Sequence, residues 1–213
     1  MTFSFPKVYP ILDSSFIPAA GRVEFLRRLG WQLADSGVRL LEYRNKAGAE
    51  SEVVADAAVL RAALPERTVK LILDDRVDLV DQIGFDGVHV DAGDVAPAEA
   101  RRLLGPERIV GTFGGSDALL PGILKAPADY FAVGPVYVTT TKQTDKRPIG
   151  LEGVRRLRAE AGPGPVLTAA AGITLETAGL VLEAGATTVA VAAALFGCAD
   201  PAAEFRRWMA ALG

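Results

Sequence analysis

Apolar residues in this chain fall into short unbroken runs that alternate with longer stretches in which they recur every three or four positions. The first arrangement suits a strand buried on both faces, the second an amphipathic helix. Val8-Tyr9-Pro10-Ile11-Leu12 ends in Asp13, and helical spacing follows over residues 23–34. Residues 38–44 form the second run, and the segment 50–64, rich in alanine and glutamate, stops at Pro65, as helices do at a proline. Residues 69–73 lead into Asp74-Asp75-Arg76, whose carboxylates are expected at the start of a helix reaching Ile83. Gly87-Val88-His89-Val90 precedes a helix that Pro97 opens and Leu104 ends. Residues 108–113 precede a weaker helix ending at Lys125. A strand about Phe131 is followed by a helix over 151–161, the run 165–170 by one over 175–184, and the run 188–191 by a closing helix from Pro201 to Leu212.

Eight such strand-helix pairs predict an α/β fold, a single (β/α)8 TIM barrel occupying residues 1–213 as one domain. The rival is an open doubly wound sheet. It lacks the expected GxGxxG after the first strand, and Gly114-Gly115 is too slight to replace it.

Composition narrows the function classes. A net charge of −3 with scattered positive residues offers no footprint for nucleic acid. No apolar run approaches the ~20 residues of a membrane span, and residues 1–7 lack the layout of a signal peptide, so a cytoplasmic protein is expected. The single cysteine, Cys198, excludes an intrachain disulfide and a cysteine-cluster metal site. It is expected to pack near a helix start rather than react. With one histidine, His89, a metal would be held by oxygen ligands, which favours magnesium. His89 itself sits inside an apolar strand, where a structural role is expected, and Trp31 and Trp208 are read as core or interface.

Candidate chemistry collects at strand ends, where the active sites of such barrels lie. The stretch Gly134-Pro135-Val136-Tyr137-Val138-Thr139-Thr140-Thr141-Lys142 leaves a buried strand and presents three hydroxyls and an ammonium. That is the composition of a loop that holds a phosphorylated ligand. Strand two ends in Glu42, Arg44 and Lys46, the first two brought to one side by the period of two; strand three ends in Asp74 and Asp75, strand four in Asp91 and Asp94. Carboxylates to hold Mg2+ and cations to neutralise phosphates suit a magnesium-bound diphosphate. A second anion site is suggested by Ala171-Gly172-Ile173 and Ala192-Ala193-Ala194, where small side chains let a phosphate approach the backbone.

These residues in this order resemble the thiamine phosphate synthase and thiazole tautomerase family over nearly the whole chain. The matching pieces are Glu42-Tyr43-Arg44-Asn45-Lys46, Asp74-Asp75-Arg76-Val77-Asp78, Gly87-Val88-His89-Val90 with Asp94, Gly134-Pro135 with the threonines and Lys142, Gly150-Leu151-Glu152, and Gly172-Ile173. The resemblance implies joining a hydroxymethylpyrimidine diphosphate to a thiazole phosphate, with the bond to diphosphate breaking largely first. It implies Asp75 and Asp94 as magnesium ligands, with Arg44, Lys46 and Lys142 as the catalytic cations. It makes Glu42, Asp74, Thr139, Thr141, Gly172 and Ala193 substrate-binding. The expected partners are small phosphorylated molecules, neither nucleic acid nor membrane, and a homodimer is open.

The chain departs from the family pattern at several positions. Glu42 replaces a glutamine, Asp74 an asparagine, Phe113 stands where a serine is usual, Ala171 replaces the first glycine of Gly-Gly-Ile, and Ala193 replaces a serine. Two alternatives follow: a thiazole tautomerase-like isomerase, and a diverged barrel that binds a phosphate ester without turnover.

Overall fold

The computed structural model describes residues 3–91, 93–139 and 145–213. Parallel strands β1 (Val8–Asp13), β2 (Leu40–Arg44), β3 (Lys70–Asp74), β4 (Gly87–Val90), β5 (Ile109–Gly115), β6 (Tyr130–Val133), β7 (Leu167–Ala170) and β8 (Thr188–Val191) pair in sequence order, and β8 closes on β1. Around them run α1 (Arg22–Asp35), α2 (Glu50–Ala63), α3 (Val80–Ile83), α4 (Pro97–Leu104), α5 (Gly150–Ala161), α6 (Leu175–Glu183), α7 (Ala193–Phe196) and α8 (Pro201–Leu212). The expected (β/α)8 barrel is the fold. No helix among the described residues is long and apolar enough to cross a membrane.

Alternation along each strand divides the core in two. One set of residues, among them Leu12, Leu41, Leu73, Val88 and Val110, packs outward beneath the helices. The other set, Tyr9, Leu40, Ile72, Ile109, Tyr130 and Ala190, fills the barrel interior with Phe3 and Phe5 packed against it. Helix α1 shows how the outer layer forms: Leu26, Leu29, Gly30 and Leu33 recur on one face and are buried. Gly30 is needed there, because a Cβ would stand 2.6 Å from that of Ala63 on α2. Leucine-to-alanine changes in such a layer typically cost about 2–5 kcal/mol.

Inside the barrel, register decides what reaches the mouth. Ile11 lies opposite Glu42, Asp13 opposite Arg44, Asp74 opposite His89, and His89 opposite Gly111. Gly111 is the space into which Tyr130 extends: a Cβ there would lie 1.9 Å from the tyrosine Cζ. The ring crosses the barrel floor because its neighbour has no side chain.

Two of the expected elements need correction. The segment after β3 does not open a helix with its carboxylates; Asp75 takes a left-handed conformation at φ 67°, and a 3-10 turn over Val77–Leu79 precedes the short α3. Aspartate tolerates that conformation better than most residues, so the chain turns over the mouth before it coils. The helix expected up to Lys125 is only a 3-10 turn, Ile123–Lys125, because β5 runs on to Gly115 with a register shift after Phe113. Of the two tryptophans, Trp208 lies in the core, whereas Trp31 is 57% exposed. Cys198 is exposed just ahead of Asp200, the N-cap of α8.

Candidate active site

The ends of β1 to β4 gather Asp13, Asp74, Asp75, Asp91 and Asp94 around Arg44 and Lys46. Arg44 donates through Nη1 to Asp13 Oδ2 and holds its Nε 3.3 Å from Asp74 Oδ2. Lys46 Nζ lies 2.6 Å from Asp75 Oδ2, 3.5 Å from Asp74 Oδ2 and 3.7 Å from Asp91 Oδ2. Burial opposes both cations, but the aspartates outweigh it and hold each above its usual pKa. Sequence reasoning foresaw the convergence. It did not foresee that both cations pair with carboxylates, nor that Asp13 takes part; burial raises that acid, yet hydrogen bonds from Ser15 and Arg44 hold it below the usual carboxylate range.

Asp75 and Asp94 come together as expected. Asp94 accepts a hydrogen bond from the Asp91 backbone N–H at 2.8 Å, and its carboxyl abuts that of Asp75. Burial, that contact and the nearby Asp74 push Asp75 up to about 6, and its Oδ1 is buried without a hydrogen-bond partner among the described residues. Two abutting carboxylates with an orphaned oxygen fit a divalent cation, and magnesium is commonly held by one or two carboxylates with water and substrate phosphates completing the shell. Among the described residues no cluster of three or more metal-ligating side chains occurs, so the remaining ligands would come from solvent and substrate.

Below this mouth lies a cavity of about 420 Å³. Its floor is a chain of polar groups of which sequence reasoning named Glu42 as a site residue but not Tyr9, Tyr130 or His89. Tyr9 donates to Glu42 Oε2 at 2.8 Å, the Tyr9 and Tyr130 hydroxyls are 2.9 Å apart, and His89 Nδ1 is 3.0 Å from the Tyr130 hydroxyl. The imidazole stacks on the Tyr130 ring, and its Nε2 faces Asp91 at 3.7 Å. Burial pushes Glu42 up to about 7, with Asp74 adding to the rise while His89, Tyr9 and Arg44 oppose it. Burial lowers His89, but Asp91, Glu42 and Asp74 outweigh it and hold the imidazole above its usual value. The structural role expected of His89 is therefore incomplete: the side chain lines the cavity. Its phase along β4 carries the signal, since His89 and Asp91 share the inward side. Thr168 Oγ1 is buried beside the same cavity without a hydrogen-bond partner among the described residues. Phe113 forms part of the wall, with Lys146 Nζ 3.6 Å above its ring.

A second cavity of about 480 Å³ adjoins the first, sharing Ile11, Arg44, Thr139, Ala170, Ala171 and Ala190. Ala171, Gly172 and Ala193 line it, so the residues proposed for a second anion site do converge. Gly172 is at φ 68°, and a Cβ there would lie 2.4 Å from the Val138 carbonyl oxygen. Ala171 adopts φ 76°, a conformation that glycine takes without penalty. The short α7 beginning at Ala193 was not foreseen as an element of its own. Thr141 and Lys142, expected to bind the diphosphate, lie outside the described residues.

Comparison with protein families matches residues 8–195 to a family described as thiamine monophosphate synthase. The chain is 38% identical over 203 residues to the thiamine-phosphate synthase of Koribacter versatilis (strain Ellin345), covering 94% of each. It is 37% identical over 178 residues to that of Agrobacterium fabrum (strain C58), covering 82% of this chain and 81% of the relative. Among solved structures, thiamine phosphate pyrophosphorylase from Pyrococcus furiosus superposes with a TM-score of 0.78 at 26% identity, covering 97% of this chain and 95% of the other.

Proposed function

The chain belongs to the thiamine monophosphate synthase family, and we propose that it joins a hydroxymethylpyrimidine diphosphate to a thiazole phosphate, releasing diphosphate and forming thiamine phosphate. The observation that carries this reading is the two-part cavity. A mouth of cations and carboxylates stands over a floor of aromatic rings and one buried acid, and a second cavity of small residues opens beside it. A heteroaromatic ring carrying a diphosphate fits the first, ring down and phosphates up. The thiazole phosphate fits the second, which Gly172 and Ala193 line with small residues.

Departure of diphosphate leaves negative charge on the leaving oxygens, and stabilising that charge is the main task of the site. Arg44 and Lys46 are placed for it, each able to turn from its aspartate partners toward the phosphates. Lys142, Thr139 and Thr141 complete the set in this reading. Asp75 and Asp94 would hold magnesium, which when bound neutralises the diphosphate and lowers the barrier to its departure. The residues that differ from the family pattern, Glu42, Asp74, Phe113, Ala171 and Ala193, are compatible with the reaction in this reading. Glu42 lies on the floor rather than among the phosphate-facing cations, and Lys146 over Phe113 brings a positive charge to a position without a hydroxyl.

The test is turnover by the purified chain with both substrates and magnesium, product being identified by mass. Thiamine phosphate formed only when both substrates are present supports the reading. A folded protein that forms none, beside an active synthase, would replace it with phosphate-ester binding without turnover.

A further inference from the structure

Lys46 lies beyond the end of β2, where the sheet no longer fixes the chain. Among the described residues no backbone-to-backbone hydrogen bond involves residues 46–48, so a side chain has to hold the loop that carries this ammonium to the mouth. That side chain is Asn45, which turns toward the helix layer and uses both ends of its amide. Its Oδ1 accepts from the Gly48 N–H at 2.9 Å and from the Ser14 hydroxyl, just past β1, at 3.0 Å. Its Nδ2 donates to the Tyr43 hydroxyl at 3.1 Å and to Glu52 Oε1 on α2 at 2.7 Å. The Gly48 donor and the Glu52 acceptor together settle which amide atom is which.

The partners of Asn45 are themselves anchored. Tyr43 is fully buried and its hydroxyl donates to Asp56, which is buried on α2 and gripped by Arg22 of α1, whose Nε stands 2.9 Å from Oδ1. Arg22 also reaches Glu52 at 3.2 Å, which closes a ring of hydrogen bonds joining α1, α2 and the end of β2. A satisfied network of this kind favours one geometry, because a departure from it leaves polar groups without partners. Building on the function proposed above, we propose that Asn45 is a positioning residue for the reaction. It fixes the backbone from which Lys46 extends, and so places the ammonium beside Asp74, Asp75 and Asp91, where the departing diphosphate and its metal meet. Asn45 touches no substrate. A lysine is a point charge on a long flexible stem, so its reach is set by where that stem begins.

Gly48 shows how closely the loop is fitted to the amide. A Cβ there would stand 2.3 Å from Asn45 Nδ2, so the turn wraps the amide only because residue 48 has no side chain. Gly48→Ala therefore displaces the amide while leaving every hydrogen-bonding group in the chain, whereas Asn45→Ala removes the amide outright. The two variants loosen the same loop by different routes, and each should act on the diphosphate through Lys46.

The experiment measures binding of inorganic diphosphate with magnesium by calorimetry, for the full chain, Asn45→Ala, Gly48→Ala, Lys46→Ala and each of the first two combined with Lys46→Ala. Circular dichroism sets a temperature at which the variants are folded; should Asn45→Ala not fold, Gly48→Ala carries the cycle alone. Each loop variant should raise the Kd for diphosphate by roughly tenfold, but by less than about twofold where Lys46 is already alanine, because residues that act as one unit are not additive. Equal losses in both backgrounds would make the amide a general support of the fold and overturn the proposal, as would an unchanged Kd in the loop variants. A wild-type chain that binds no diphosphate would overturn the proposed function and this inference with it. Binding with additive losses would leave the proposed function standing and remove only the role of Asn45.

Discussion

Replacing Glu42 by glutamine should change how stability depends on pH, and the size follows from the site. A carboxyl raised from 4.5 to about 7 on folding penalises the charged native state by about 3 kcal/mol, at about 1.4 kcal/mol per pKa unit. The sign follows from the direction: the folded value is the higher one, so the stability is fully present below the unfolded pKa and is lost as pH rises through the folded one. Most of it, about 2–3 kcal/mol, is lost between pH 5 and pH 8. For a chain of this size that corresponds to roughly 5–10 °C in melting temperature. His89, also held above its usual value and partly by Glu42, acts in the same direction. Thermal melts of wild type and Glu42→Gln at pH 5 and pH 8 should therefore diverge, the variant being the more stable at pH 8 and falling much less between the two. Parallel melting curves across that range would refute the reasoning, because Glu42 would then titrate like an exposed carboxyl.

Three further changes test the surroundings. Ala171→Gly relieves a left-handed alanine at φ 76°, and should stabilise the chain by about 1 kcal/mol in urea unfolding, the gain in strain outweighing glycine's backbone entropy. Gly111→Ala places a Cβ 1.9 Å from Tyr130 Cζ; overpacking of that kind typically costs about 1–3 kcal/mol, and near-ultraviolet circular dichroism should register displacement of the tyrosine. Asp75→Asn and Asp94→Asn should each raise the magnesium concentration needed for half-maximal turnover by at least about tenfold, since each removes a charged hard-oxygen ligand; full turnover at unchanged magnesium in both would remove the metal assignment.

The barrel was legible because both its strand faces are buried, which writes each strand as an unbroken apolar run, and because Pro97 and Pro201 mark helix starts at the positions where the structure begins α4 and α8. The mouth was legible because charge at a strand end has nowhere to go but the rim. Pairing was not: Arg44 and Lys46 read as free cations, whereas the structure commits them to Asp13, Asp74 and Asp75, and sequence carries no distance between separate strands. The floor was hidden for another reason. Tyr9 and Tyr130 contribute mostly apolar surface, so they pass as core residues, and only their phase places them inside. Tyr9 shares the inward side with Ile11 and Asp13, and His89 with Asp91. Glu42 read simply as one of the charges at the end of strand two, because its contact with the Tyr9 hydroxyl on the cavity floor becomes visible only once the barrel is closed.

The measurement that probes this arrangement at its centre is a crystal structure of the chain with magnesium and a non-cleavable analogue of the pyrimidine diphosphate. The ring should lie on the floor with its edge against Glu42, and the diphosphate should lie at the mouth between Arg44 and Lys46, with the metal on Asp75 and Asp94. A diphosphate seated against Glu42, or bound under α7 with Asp75 and Asp94 holding no metal, would contradict it.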